Sequence, residues 1–292
     1  MYDIQRYLRA TSARHASELM LANPDSRLLA GGTDVLIQLH HHNAHYAHIV
    51  DIHGLAELCG INELEDGTLR IGSGTTFTQI IEHPLIQARL PMLAEAAATI
   101  AGPQIRNVAT YGGNICNGAT SADSAAPSVA LKAQLEILTP NGVILRPIDG
   151  FHTGPGKVAL TPGEILLAFH FHPADHCDCG SAYIKYAMRG AMDIATIGCA
   201  ALCRIEAGRF SELRLAYGVA APTPIRCPQA EACAIGQPLS RQTLAAVSEA
   251  VAGDVSPRSS WRAEKEFRLH LIRTLAQRAI TLAVQRAGGE IV

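Results

Sequence analysis

Two short segments of the chain pair glycines with polar neighbours in a way that suits anion binding. The first, Leu28-Leu29-Ala30-Gly31-Gly32-Thr33-Asp34-Val35, carries an apolar stretch into two glycines and then polar residues that open a helix. Glycines let a backbone approach a phosphate closely, and the N–H groups of a first helical turn have no partners inside the helix. An ordinary strand-to-helix turn has the same composition, and the Gly-x-Gly-x-x-Gly dinucleotide spacing is absent. The second, Thr110-Tyr111-Gly112-Gly113-Asn114, reads as a loop that continues from Gly118 to Ser124, where Thr110, Asn114, Thr120 and Ser121 offer hydroxyl and amide donors. Asp123 stands at the mouth of the next helix, as a cap or as a ligand group. Two such loops, about 80 residues apart, could close on the two sides of one dinucleotide pyrophosphate.

Other chemistries have thinner support. Eight cysteines lie at positions 59, 116, 177, 179, 199, 203, 227 and 233, with no Cys-x-x-Cys pair. Buried free thiols are the plain reading, and no set has the spacing that holds a [2Fe–2S] cluster. Cys177-Asp178-Cys179, beside His170, His172 and His176, has ligand types but no structural zinc spacing. His40, His41 and His42 point apart on a helix, so they and the following His45, His48 and His53 read as a solvated helix end and its surroundings. Lys185, in an alternating strand, reads on its own as a solvated charge. Trp261, between Arg258 and Arg262, anchors its own loop or a partner.

The elements that must position these residues follow from periodicity. Arg27–Gly31 and 47–52 read as strands around a helix with Val35, Leu36 and Leu39, a compact βαβ unit. Residues 68–72 read as a strand, Thr76 or Thr78 caps a helix through Ile81, and 93–100 forms an Ala-rich helix. A helix over 124–132 precedes two strands that flank Asn141-Gly142, a dipeptide suited to a type I′ turn. Residues 164–171 alternate as a strand, and the polar stretch 173–180 marks a domain boundary and a candidate gate. Strands over 182–188, 195–204 and 212–219 follow, then helical patterns from Gln229. Phe267, Leu271, Leu275 and Leu282 share one face of a long helix over 262–286, a face that serves as core or docking surface.

Length and composition bound the rest. A chain of 292 residues has room for about two domains at roughly 150 residues each. Lys plus Arg number 24 and Asp plus Glu 26, a formal charge of −2, which argues against a nucleic-acid partner. No run of about 18 apolar residues suits a membrane span. The N-terminus, Met1-Tyr2-Asp3-Ile4-Gln5-Arg6, lacks the apolar core of a secretory signal. The expectation is a soluble, cytoplasmic protein with no membrane partner.

The chain resembles the flavoprotein subunits of the molybdenum hydroxylase family, in particular those of bacterial xanthine dehydrogenases. The resemblance is carried by Leu29-Ala30-Gly31-Gly32-Thr33-Asp34, Gly102-Pro103-Gln104-Ile105-Arg106-Asn107, Thr110-Tyr111-Gly112-Gly113-Asn114 and Asp123. Gly163-Glu164-Ile165-Leu166 and Lys185-Tyr186-Ala187-Met188-Arg189 support it, so that it spans essentially the whole chain. It implies an α+β fold: a two-lobed FAD-binding domain of the molybdenum hydroxylase flavoprotein type over 1–176, with lobes of about 1–55 and 56–176. A C-terminal α+β domain over 177–292 follows, with a small antiparallel sheet and helices.

The same resemblance implies that Leu28, Leu29, Ala30, Gly31, Gly32, Thr33, Asp34 and Val35 form the first pyrophosphate loop for FAD. Thr110, Gly112, Gly113 and Asn114 form the second, holding FAD through backbone N–H groups and hydroxyls. Ile100 falls near the flavin ring, Asp123 near the adenine and ribose, and Leu166 and Lys185 touch the cofactor from the other side. No side chain here is implied to be catalytic and none to bind metal. Molybdopterin and [2Fe–2S] clusters belong to partners, a molybdenum-binding subunit and an iron–sulfur subunit. FAD takes electrons from the clusters and passes hydride to NAD, in xanthine dehydrogenase chemistry of purine catabolism or salvage. Alternatives are the FAD subunit of a carbon monoxide, nicotinate or aldehyde hydroxylase, a flavin oxidase that passes electrons to oxygen, or a nucleotide-binding scaffold without redox chemistry.

Overall fold

The structure, a computed structural model, describes residues 3–292; Met1 and Tyr2 of the polar N-terminus lie outside the described residues. The first unit comprises β1 (Arg6–Arg9), α1 (Ala13–Ala22), β2 (Arg27–Leu29), α2 (Val35–His40) and β3 (His48–Asp51). Its strands are parallel in the order β1-β3-β2, with Leu8 and Leu28 both opposite Val50. The expected βαβ unit is β2-α2-β3. The preceding β1 and α1, for which the sequence reading had no element, complete the sheet on the far side of β3. Ser12 caps α1, its hydroxyl accepting from His15 N–H at 3.0 Å.

Next come β4 (Ile61–Glu63), β5 (Leu69–Gly72) and six short helices: α3 (Phe77–Glu82), α4 (Pro84–Arg89), α5 (Pro91–Ala98), α6 (Pro103–Arg106), α7 (Tyr111–Cys116) and α8 (Ala125–Ala130). Their starts are encoded locally. Thr76 and Gln79 form a reciprocal capping box at α3, and a proline opens each of α4, α5 and α6. Then β6 (Gln134–Thr139), β7 (Gly142–Pro147), the short pair β8 (His152–Gly154) and β9 (Lys157–Val158), and β10 (Ile165–Phe171) follow. The sheet β4-β5-β10-β6-β7 is antiparallel throughout.

The β6–β7 turn differs from expectation. Thr139 pairs with Gly142, so Pro140 and Asn141 are its central residues. Proline's ring holds φ negative, which excludes a type I′ turn there.

The C-terminal part contains α9 (Pro173–His176), β11 (Gly180–Tyr186), β12 (Ile197–Glu206), β13 (Arg209–Gly218), β14 (Ile225–Arg226), α10 (Pro228–Ala234), α11 (Arg241–Ala250) and α12 (Lys265–Arg286). Its sheet is antiparallel in the order β11-β12-β13-β14. The β12–β13 turn has Ala207 and Gly208 both at positive φ, 49° and 73°, which is the type I′ geometry.

Both faces of this sheet are buried. Tyr183, Ala200, Leu202 and Ala216 join the core of α5 and α8, while Cys199, Ala201, Leu213 and Tyr217 join that of α10 and α12. The stripe of α12 that packs there is Leu271, Ile272, Leu275, Ala276, Ala279, Ile280 and Ala283. Its alanines allow close approach to the sheet. Phe267 and Leu282, expected on that face, are respectively exposed and half-buried.

Candidate functional site

The first glycine segment is the turn between β2 and α2. Gly32 has φ +75°, and a side-chain carbon on Gly31 would overlap the Val108 carbonyl and crowd Ala109. Gly31 therefore presses the turn onto the chain just before α7, and the two glycine segments meet. Among the described residues, none of the backbone N–H groups of Gly31, Gly32, Thr33, Asp34 or Val35 has a protein acceptor. Five consecutive free donors on a glycine turn form an anion cradle. Because α2 has only six residues, its dipole adds little, and the N–H groups themselves carry the polarity.

The second glycine segment is not a loop. Thr110, at φ −106° and ψ 151°, caps α7, so Gly112 and Gly113 lie in its first turn. The backbone donors of this turn are already used within the protein: Tyr111 N–H to Thr75 O at 2.9 Å, Gly112 N–H to Ser73 O at 2.7 Å, Asn114 N–H to Thr110 O at 3.0 Å, and Gly113 N–H to Thr110 Oγ1 at 3.2 Å. What remains is side-chain chemistry and the exposed face of Gly113. The Asn114 carbonyl accepts from Ser124 Oγ at 2.7 Å, which leaves its amide nitrogen to donate. Gly112 has a different task, since any side chain there would overlap Ser73.

Past α7, the turn toward α8 leads to Asp123. Its carboxylate caps no helix. It accepts from Lys185 Nζ at 2.8 Å and from Tyr183 OH at 2.7 Å. The side chains of Asp123 and Lys185 are 7% and 8% exposed, so Lys185 is a buried partner and not a solvated charge. Burial holds the Asp123 carboxyl above its ordinary value, with the Lys185 ammonium and the two hydrogen bonds opposing the rise. Lys185 Nζ also donates to Thr99 O at 3.0 Å, tying β11 to the end of α5. Tyr183 escaped the sequence reading. It sits two residues before Lys185 on the same strand face, the period that could have found it.

Lys185 also lines a cavity of about 640 Å³ together with Thr99, Gly102, Arg106, Met188 and Met192. Ile100 itself is buried, its carbonyl accepting from Arg106 Nη1 at 2.8 Å, while its neighbours Thr99 and Ala101 face the cavity. Leu166 is buried in β10 within the main core, away from the cavity lining. The segment bordering the opening is 187–193. The stretch 173–180, expected as a gate, is instead pinned by two arginines. Arg204 Nη2 donates to Cys177 O at 3.1 Å, and Arg214 Nη2 pairs with Asp175 Oδ1 at 2.9 Å.

The remaining candidates disperse. His170 Nε2 bonds Glu136 at 2.7 Å, and Cys179 Sγ donates to the His176 carbonyl at 3.2 Å. His42 meets Asp3 at the surface. Among the described residues no group of three His, Cys, Asp or Glu side chains could hold a metal ion, and no helix is long and apolar enough to cross a membrane.

Two links join these parts: Gly31 presses the N–H cradle onto the chain just before α7, and Lys185 joins Asp123 to the cavity. Free backbone donors suit an anionic group such as a pyrophosphate, and a cavity edged by a buried ammonium suits a polar ring.

Comparison with known proteins follows the same line. Residues 2–173 match the model of the FAD binding domain in molybdopterin dehydrogenase, and 182–283 that of the CO dehydrogenase flavoprotein C-terminal domain. The chain is 64% identical to the xanthine dehydrogenase FAD-binding subunit of Escherichia coli O157:H7, over 100% of both chains. It is 34% identical to the carbon monoxide dehydrogenase medium chain of Hydrogenophaga pseudoflava, over 90% of each. A solved structure of carbon monoxide dehydrogenase from that organism superposes with a TM-score of 0.92 at 32% identity, covering 98% of this chain and 99% of that one.

Proposed function

The chain belongs to the FAD-binding subunits of the molybdopterin dehydrogenase family, and from that premise we propose that it is the flavin subunit of a xanthine dehydrogenase complex with NAD as its electron acceptor. The observation that carries the reading is the run of five unused N–H donors at Gly31–Val35, pressed against the chain just before α7; the buried Asp123–Lys185 pair, whose lysine lines the cavity, supports it. In this reading Leu28–Val35 cradle the FAD pyrophosphate through backbone donors, and Thr110, Gly113 and Asn114 close on it from α7. Gly112 sets the height of α7 against Ser73.

Asp123 and Lys185 fix the junction between the nucleotide half and the ring half. Ile100 and Leu166 serve as buried supports behind the contact residues. Bound FAD would supply the redox chemistry, electron uptake and hydride transfer. The chain's own side chains bind, orient and exclude water, and Lys185 holds a positive charge beside the cavity floor. Molybdenum and iron–sulfur centres sit on partner subunits in this scheme. Xanthine as substrate is supported by the xanthine dehydrogenase relative named above, and in this scheme the substrate itself is read on the molybdenum subunit.

The test is the visible spectrum of the purified chain with added FAD, beside Gly113→Val. Gly113 is exposed and a side chain there meets only the Thr110 hydroxyl, so matching circular dichroism should show that the variant folds, whereas valine at Gly32 would strain a positive φ and confuse folding with binding. A bound flavin spectrum in the native chain, lost in Gly113→Val, supports the cofactor reading, and a colourless native chain overturns it. In the assembled complex, anaerobic reoxidation of the reduced flavin by NAD⁺ with formation of NADH supports the acceptor. Reoxidation by oxygen alone overturns it.

A further inference from the structure

The Cys177-Asp178-Cys179 turn, which the cofactor site does not use, gathers two thiols and an imidazole in one place. Cys177 Sγ lies 3.7 Å from His176 Nδ1, and Cys179 Sγ donates to the His176 carbonyl at 3.2 Å. Both sulfur atoms therefore rest against the same residue. Asp178 between them has φ 52°, a left-handed conformation that folds the chain back, where an extended strand would send the two side chains along one face and apart. Arg204 of β12 fixes this arrangement through two bonds to Cys177 O, from Nη2 at 3.1 Å and from Nε at 3.3 Å.

The imidazole is placed to take a proton. His176 is 5% exposed, and its Nε2 is buried among the described residues with no hydrogen-bond partner, a cost that calls for an explanation. Burial, aided by the charge on Arg89, holds its pKa below the ordinary value. At neutral pH the ring is uncharged, and with its proton on Nε2 it presents a lone pair on Nδ1 to Cys177 Sγ. Cys177 and Cys179 are half-buried, whereas Cys199, Cys203 and Cys227 are buried. Burial raises the Cys179 thiol against the opposing charges of Arg204 and Arg214, so Cys179 keeps the proton that it donates to the His176 carbonyl. Cys177, beside the imidazole, is the sulfur that can lose its own.

We propose that Cys177 and Cys179 form a thiol–disulfide redox site oxidised by hydrogen peroxide, with Cys177 as the attacking sulfur, His176 as its base and Cys179 as the resolving thiol. In the first step Nδ1 takes the Cys177 proton and the thiolate attacks one peroxide oxygen. The O–O bond breaks, Cys177 becomes a sulfenic acid, and the departing hydroxide regains the proton and leaves as water. In the second step the Cys179 sulfur attacks the Cys177 sulfur. The S–S bond forms, the S–O bond breaks, and a second water leaves with the Cys179 proton. Two thiols and one peroxide become one disulfide and two waters. A peroxide suits half-buried sulfur atoms because it is small and uncharged. The ring so closed spans three residues, and its strain makes the bond easily reversed by a dithiol. Nothing in this chemistry depends on bound FAD.

The experiment treats the purified full-length chain with a small excess of hydrogen peroxide, alkylates the remaining thiols, and reads the peptide containing 177–179 by mass spectrometry. In wild type that peptide should be lighter by two hydrogens and unalkylated, and dithiothreitol should restore both thiols. Cys179→Ser should stop at a Cys177 sulfenic acid that dimedone traps, and Cys177→Ser should leave Cys179 free to alkylate. Serine nearly matches cysteine in size, so both variants should keep the wild-type circular dichroism and decide the outcome between them. His176→Asn should slow the oxidation of Cys177 by about tenfold or more while the exposed Cys233 reacts at its wild-type rate. A 177–179 peptide that stays fully alkylated while Cys233 oxidises overturns the proposal. So does a disulfide that joins Cys179 to Cys203, or one that links two chains through Cys233.

Discussion

Glu136 on β6 is held between His170 of the adjacent β10 and Arg70 of β5 beyond it. Its Oε2 accepts from His170 Nε2 and from Arg70 Nε, each at 2.7 Å. The His170 hydrogen bond, then that of Arg70 and its charge, outweigh partial burial and bring the carboxyl from 4.5 down to about 2. A depressed carboxyl stabilises the fold above its unfolded pKa, and that contribution disappears as pH falls through the folded value. Melting of the wild type between pH 5 and about 2 should therefore show a loss on the order of 3 kcal/mol from this group. Glu136→Gln should lack that share at neutral pH and show a shallower acid limb. Equal acid slopes for the two would refute it.

The Asp123–Lys185 pair makes a second case at this scale. Lys185→Met leaves a buried carboxylate without its cation and should destabilise by about 3–5 kcal/mol, measured by urea unfolding of the cofactor-free chain. Adding Asp123→Leu should recover part of the loss. Both residues were legible in the sequence as types worth noting. Their burial and their partner Tyr183 were not, because the pairing joins residues 60 or more apart through the packing of β11 on α5.

At the scale of elements, three glycines that look alike in the sequence have three different tasks. Gly31 is needed for contact with the Val108 carbonyl, Gly112 for contact with Ser73, and Gly113 faces outward. Alanine at Gly31 or Gly112 should lower the melting temperature of the cofactor-free chain markedly, since backbone must move, as in overpacked cores that lose about 1–3 kcal/mol. Alanine at Gly113 meets only the Thr110 hydroxyl that caps α7 and should leave stability within about 1 kcal/mol while weakening FAD binding. Three similar melts would show that the distinction drawn from packing is wrong.

The expected loop at 110–114 became a helix because Thr110 caps a segment of only six residues, too short for hydrophobic periodicity to register. The type I′ turn was misplaced for a related reason. Pro140 excludes it beside Asn141-Gly142, and Ala207-Gly208 adopts it although alanine gives no signal for positive φ. Long strands such as β10, β12 and β13 were visible because each carries an apolar run buried on both faces.

At the scale of the molecule, the sheet order divides the chain near 176, but the packing does not. The strands of the C-terminal sheet all lie from Gly180 onward, yet one face of that sheet belongs to the core of α5 and α8. Arg214 Nη1 donates to Ala130 O at 3.2 Å, and Arg286 pairs with Glu95 across the same seam. A boundary read from a polar stretch at 173–180 locates a change of sheet; it carries no information on whether the two sides are independent, because the residues that join them are small apolar ones scattered along both. A fragment ending at residue 176 would expose Ala96, Ala97 and Ala126, which the sheet now covers. It should aggregate when expressed alone and bind no FAD, since Lys185 and Tyr183 are missing from it. The intact chain should unfold in one step, with circular dichroism and protease sensitivity sharing a midpoint in urea. A soluble, flavin-binding 1–176 fragment, or two separated midpoints, would mean that the seam is a contact between autonomous domains. The cofactor would then be held by the N-terminal one without Lys185.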